Sequence, residues 1–110
     1  MAIYSNLNID QGSSFNVFVD VQDSSGDAFN LTGYTVAGQI RKTYSSINSV
    51  AFSALVSSPN SGTISLSLDN TQTDDMKPGR YVYDVEVIAP SGTVTRVLEG
   101  QVEIFPGVTR

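Results

Sequence analysis

The chain has 110 residues, a formal charge of −5 with a pI near 4.3, and neither cysteine nor histidine. That balance argues against a phosphate-neutralising nucleic-acid groove, and the missing residue types exclude disulfides, thiolate or imidazole zinc sites, and Ser-His-Asp or Cys-His catalysis. The length suits one domain over residues 1–110 with a single core, and a charged fraction of 15%, below the usual quarter, predicts a polar rather than charged surface.

Met1 to Asp10 has no basic region followed by an apolar run, so no secretory signal is read there, and no segment is long enough to span a bilayer. A short strand is expected within Ile3 to Asn8, and the polar stretch Ser5 to Ser14 reads as an arm that orders on a neighbour. Phe15, Val17, Val19 and Val21 then alternate with polar residues, as in a half-buried strand, and place Phe18 on the polar side. Asp23 to Asp27 forms a turn. Val36 to Lys42 is the next strand, with Val36 and Ile40 inward and Gly38 marking a bulge or a close approach of another backbone.

Val50 to Val56 reads as one strand facing inward through Phe52, Ala54 and Val56, ended by the breaker run Ser57 to Gly62. Thr63 to Leu68 alternates most cleanly, with Ile64, Leu66 and Leu68 inward. Asn70 to Met76 loses the period of two and begins with capping residue types, so one short helical turn is expected, with Asp74-Asp75 as capping or dipole partners. Tyr81, Tyr83, Val85 and Val87 then share the inner face of a strand whose other face carries Asp84 and Glu86. A loop at Pro90-Ser91-Gly92 predicts a hairpin with Ile88 opposite Val94 and an ion pair between Glu86 and Arg96. The final strand runs to Ile104 with a bulge at Glu99-Gly100.

Six or seven short strands with turns about every ten residues predict an all-β, immunoglobulin-like antiparallel β-sandwich of about seven strands, with one short helical turn before the penultimate strand. Gly79-Arg80-Tyr81 resembles the tyrosine corner of immunoglobulin-like domains, and Tyr83 stands where antibody domains place their second cysteine.

The carboxylates offer little chemistry. Asp20, Asp23 and Asp27 lack the spacing of a calcium loop. Asp84 and Glu86 read as the solvated or interface side of a strand, and no nucleophile motif accompanies any acid. No catalytic, cofactor-binding or metal residue is assigned, and no cofactor. The Asn30-Leu31-Thr32 sequon carries no weight without a secretory signal. Phe18, Tyr4, Tyr34 and Tyr44 are candidate interface anchors, because aromatics concentrate at protein-protein hot spots; Phe18 and Tyr44 are expected to be the most exposed.

Leu31-Thr32-Gly33-Tyr34 followed by Gln39-Ile40-Arg41-Lys42 resembles small tailed-bacteriophage proteins that carry an "LTGY…QIR" strand. The resemblance extends to Ile9–Gly12, Pro78–Asp84, Thr95–Gly100 and the ending Val108-Thr109-Arg110. It is to virion structural proteins of marine phages that infect cyanobacteria and, more distantly, to the immunoglobulin-like N-terminal domain of phage upper baseplate proteins. It implies a non-enzymatic virion component made in the host cytoplasm, present in many copies or as a homo-oligomer, and partnered by other virion proteins rather than by nucleic acid or membrane. No catalytic residue carries over. The alternative is a module that recognises a host-surface glycan or receptor through loops, with Tyr44-Ser45-Ser46 and Ser57 to Gly62 as the recognition end.

Overall fold

The computed structural model describes residues 3–23 and 25–108, so Ser24 of the first turn and the Thr109-Arg110 ending lie outside the described residues. Alternating apolar and polar residues form strands β1 (Ile3–Tyr4), β2 (Leu7–Asp10), β3 (Phe15–Asp20), β4 (Thr35–Arg41), β5 (Val50–Ala51), β6 (Ser53–Ser58) and β7 (Thr63–Leu68). Helix α1 (Asn70–Asp75) follows, then β8 (Gly79–Ile88) and β9 (Val94–Phe105). One sheet has the order β1-β9-β8-β4-β5 with β2 also on β9; the other has the order β3-β7-β6. The inward residues of both form one core, in which Ile64, Leu66, Val85, Val87 and Val102 are fully buried and Phe15, Val17, Val36 and Val56 partly so. Burying a side chain of this size contributes roughly 1.5–3 kcal/mol. The fold is an all-β sandwich, and its strand order is that of immunoglobulin-like domains.

The nine segments occupy eight strand positions, because β1 and β2 share one place on β9, and one strand of the expected seven is split between the two sheets. Val50 to Val56 is not one strand: β5 pairs with β4, whereas β6 pairs with β7 in the opposite sheet. The chain changes sheets at Phe52, whose N–H still donates to Gly38 O at 2.9 Å while its ring packs into the core. Gly38 makes room for this crossing. A Cβ there would meet the Phe52 and Val85 side chains at 3.1 Å each, and the β4–β8 register runs through it without a bulge.

The N-terminal strand is the second broken one. β1 and β2 pair with β9 in parallel, so the sandwich is not wholly antiparallel. Ile9 is 1% exposed and Gln11 N–H donates to Phe105 O at 2.9 Å, so Ser5 to Ser14 is built into its own sheet and is not a free arm. Between β1 and β2 the Ser5 carbonyl sits over Gly100, where any Cβ would collide with it. Ser5 O accepts the Tyr83 hydroxyl at 2.6 Å, and the Asn6 Oδ1 accepts Gln101 N–H at 3.1 Å.

The final hairpin places Ile88 opposite Val94 and Glu86 opposite Arg96. Its bulge lies elsewhere than at Glu99-Gly100: Leu98 opposes Val85 and Arg96 opposes Glu86, so Val97 is the extra residue. Two consecutive residues, Val97 and Leu98, are thereby buried, and Arg96 is turned back to the outer face. There it pairs with Asp84 at 3.3 Å and Glu99 at 3.7 Å rather than with Glu86.

Helix α1 starts where the Asp69 carboxylate accepts Gln72 N–H at 2.7 Å and Gln72 Oε1 accepts Asp69 N–H at 3.0 Å, a capping box. Asp74 and Asp75 therefore end the helix and do not cap it. Thr73, fully buried, donates its hydroxyl to Ser13 O at 2.8 Å and accepts Gly12 N–H at 3.1 Å, tying the helix to the β2–β3 turn. Beyond it the Tyr81 hydroxyl donates to Lys77 O at 2.8 Å, and Gly79 enters β8 at φ +139°, a value that side chains resist. Among the described residues no helix is long and apolar enough to cross a membrane.

Candidate functional site

Alternation sets what the larger sheet shows to solvent. Gln39 of β4 lies opposite Asp84 of β8, Asp84 opposite Glu99 of β9, and Glu99 beside Tyr4 of β1. These four residues form a row across the outer face. A concavity of about 220 Å³ lies along its Gln39, Asp84 and Glu99 members, lined also by Arg41, Val82, Tyr83, Arg96 and, from the loop after β4, Tyr44.

Two arginines shape this concavity. Arg41 donates to Ser46 O at 2.6 Å, Ile47 O at 2.9 Å and Gln39 Oε1 at 3.0 Å, so it folds the loop that carries Tyr44 back against the sheet. Arg96, raised to this face by the Val97 bulge, bridges Asp84 and Glu99. All three partners are part-exposed, so each bridge contributes about 0–1 kcal/mol, and their main effect is to hold polar groups in a fixed array. Asp84 and Glu99 stand side by side in the row with the Arg96 guanidinium bridging them, and Tyr4 closes its β1 end.

Of the candidate anchors, Tyr4 is 63% exposed and Tyr44 82%, both on this side of the molecule. Phe18, 62% exposed, is on the other sheet and does not join them. It lies opposite Ser65, and Ser65 opposite Leu55, which is 57% exposed. Phe18 and Leu55 thus flank a small serine on the outer face of the three-stranded sheet. The sequence signal for Leu55 was its position between the inward residues Ala54 and Val56. Tyr34 is half-buried, edge-to-face with Phe29 at 5.6 Å, and covers one end of the core. Gly79 and Tyr81 lie at the entry of β8, where Lys42 Nζ sits 4.7 Å from the Tyr81 ring and burial raises the Tyr81 hydroxyl above its ordinary pKa.

Two further carboxylates have local duties. Asp20 accepts the Thr63 hydroxyl at 2.8 Å. Asp23 accepts the hydroxyl and N–H of Ser25 and the N–H of Asp27, and the Ser25 hydroxyl foremost holds its carboxyl below the usual range. Among the described residues no three acidic side chains gather where one ion could reach them all.

The two loops of the recognition alternative do not meet. Arg41, the last residue of β4, holds the Tyr44 loop, whereas Pro59 O accepts Leu31 N–H at 2.9 Å, just before β4 begins. The length of β4 separates them, because antiparallel strands send successive loops to opposite ends of a sandwich. No protein-family model and no curated protein matches the chain in sequence.

Proposed function

We propose that this protein is a non-enzymatic structural component of a tailed-phage virion, acting through protein-protein contacts made by the outer face of its larger sheet. One observation carries the reading. The three main blocks of phage resemblance, residues 31–42, 78–84 and 95–100, fall on β4 and on the β8–β9 hairpin, which adjoin in one sheet although β4 is distant in sequence. Their outward side chains, Gln39 and Arg41, Asp84, and Arg96 with Glu99, line the same concavity. The resembling blocks thus share one exposed surface, with Tyr4 and Tyr44 beside it.

Mass spectrometry of purified particles tests the reading, with the protein expected among the stoichiometric virion components. Its absence from particles refutes the proposal. In a complementation assay, replacing Tyr4 and Tyr44 together by Ala is expected to lower incorporation about tenfold, as loss of two aromatic anchors does at protein interfaces. Both residues are exposed, so the variant's melting temperature should stay within about 2 °C of the parent.

A further inference from the structure

The smaller sheet has an open edge. Its order is β3-β7-β6, so among the described residues β3 is paired on one side only. The N-terminal strand, which lies beside this position in many sandwiches of this strand order, is here in the other sheet on β9.

A single hydrogen bond reveals which groups face that edge. Val21 N–H donates to Gly62 O at 2.8 Å, one step beyond the pairing of Asp20 with Thr63, so the Val21 backbone points toward β7. Direction alternates along an antiparallel strand. Val17 and Val19 therefore bond to β7, and Asn16, Phe18 and Asp20 present their N–H and C=O groups on the open side. Edge strands are commonly protected by lysine, proline or a bulge. Phe15–Asp20 has neither of those residues, and its register with β7 is unbroken.

We propose that β3 is the seam of a two-fold homodimer, pairing antiparallel with β3 of a second copy so that Phe18 lies opposite Phe18. In this register Asn16 of each copy opposes Asp20 of the other, and every outward-facing residue meets another. Each such pair exchanges two N–H···O bonds. The edge is self-complementary in this register: although each copy carries a net charge of −5, its one seam carboxylate, Asp20, meets an asparagine amide of the other copy rather than a second carboxylate. The seam also joins the two Leu55-Ser65-Phe18 rows into one, continuous across both copies. The inference does not rest on the virion reading, because self-association and incorporation into particles are measured separately.

The absence of cysteine makes the test direct, since one introduced thiol per chain reports on its neighbour. A hydrogen-bonded antiparallel pair has its Cα atoms about 5.5 Å apart, within disulfide range. Under mild oxidation Phe18→Cys is expected to cross-link at least about tenfold faster than Leu55→Cys, which is similarly exposed on the same face but two strands from the seam. Sedimentation equilibrium of the cysteine-free chain at up to about 1 mM is expected to show a dimer, with Kd raised at least about tenfold by Asn16→Pro, which deletes an edge-facing N–H and no bond to β7. Phe18→Lys should do the same by placing two ammonium groups at the seam; it decides the matter if circular dichroism shows the proline variant unfolded. A strict monomer at that concentration overturns the proposal. So does a Phe18→Cys cross-linking rate no greater than that of Leu55→Cys.

Discussion

Gly100→Ala probes how the N-terminal strand is attached. The added methyl would overlap the Ser5 carbonyl, which is backbone and cannot turn aside as a side-chain tip would. To escape, the Ser5-Asn6 crossing must lift from β9. Three hydrogen bonds go with it: Ser5 N–H to Glu99 O at 2.8 Å, the Tyr83 hydroxyl to Ser5 O at 2.6 Å, and Gln101 N–H to Asn6 Oδ1 at 3.1 Å. At about 1 kcal/mol net each, the loss is about 3 kcal/mol if the crossing detaches fully and about 2 kcal/mol if it shifts and partly re-forms. Urea unfolding by circular dichroism measures the total. Amide exchange locates it, with protection lost at Ser5 and kept at Val85 and Leu66. A change below about 0.5 kcal/mol, or an exchange pattern unaltered at Ser5, would refute the reasoning.

Tyr83 links stability to alkaline pH. Its hydroxyl is pushed up to about 12 from 10.0 by burial, so the folded state holds the proton more tightly than the unfolded state. The resulting stability is complete below pH 10 and is lost as pH rises toward 12. Two units correspond to about 2.7 kcal/mol, discounted to about 1–2 because the hydroxyl end is only part-buried. Tyr83→Phe should cost about 1 kcal/mol at pH 7 and flatten this alkaline decline in melting temperature; an equally steep decline in the variant would contradict the assignment. Tyr81→Phe removes the bond to Lys77 O at the entry of β8 and should cost about 1 kcal/mol in chemical denaturation without changing the far-ultraviolet spectrum. Thr73→Val keeps the shape of a fully buried side chain but leaves Ser13 O and Gly12 N–H without their partner, a loss of about 1–3 kcal/mol; a stability within about 0.3 kcal/mol of the parent would show that the link between helix and turn is dispensable.

The outer-face row shows how much of the candidate site was legible beforehand. That Asp84 points outward follows from its place between Tyr83 and Val85, and the expected exposure of Tyr44 and Phe18 is met, but that Tyr4 is as exposed as Phe18 while Tyr34 is half-buried does not follow from their equally irregular settings. That Gln39, Asp84, Glu99 and Tyr4 stand in line does not follow, because alternation says which side of a strand a residue is on and nothing about the strand beside it. Arg96 shows the same limit at closer range. Its partner across the hairpin is Glu86, as the loop length requires, yet the bulge at Val97 aims its guanidinium at Asp84 and Glu99.

Local information was enough for β3, β4, β7 and β8, for α1 after Asp69, and for the pairing of the β8–β9 hairpin at its loop, since each depends on a period of two, a cap or a short loop read within a few residues. It also ruled out disulfides and imidazole or thiolate chemistry, because those residue types are missing. Tertiary structure alone decided the rest. Docking β1 and β2 on β9 joins Ile3 to Leu98 and Leu7 to Val102, contacts between opposite ends of the chain that no local pattern encodes. The crossing at Phe52 was likewise invisible: its inward alternation is the same whether the strand stays in one sheet or changes to the other, and only the competition of β4 and β7 for its backbone hydrogen bonds divides it.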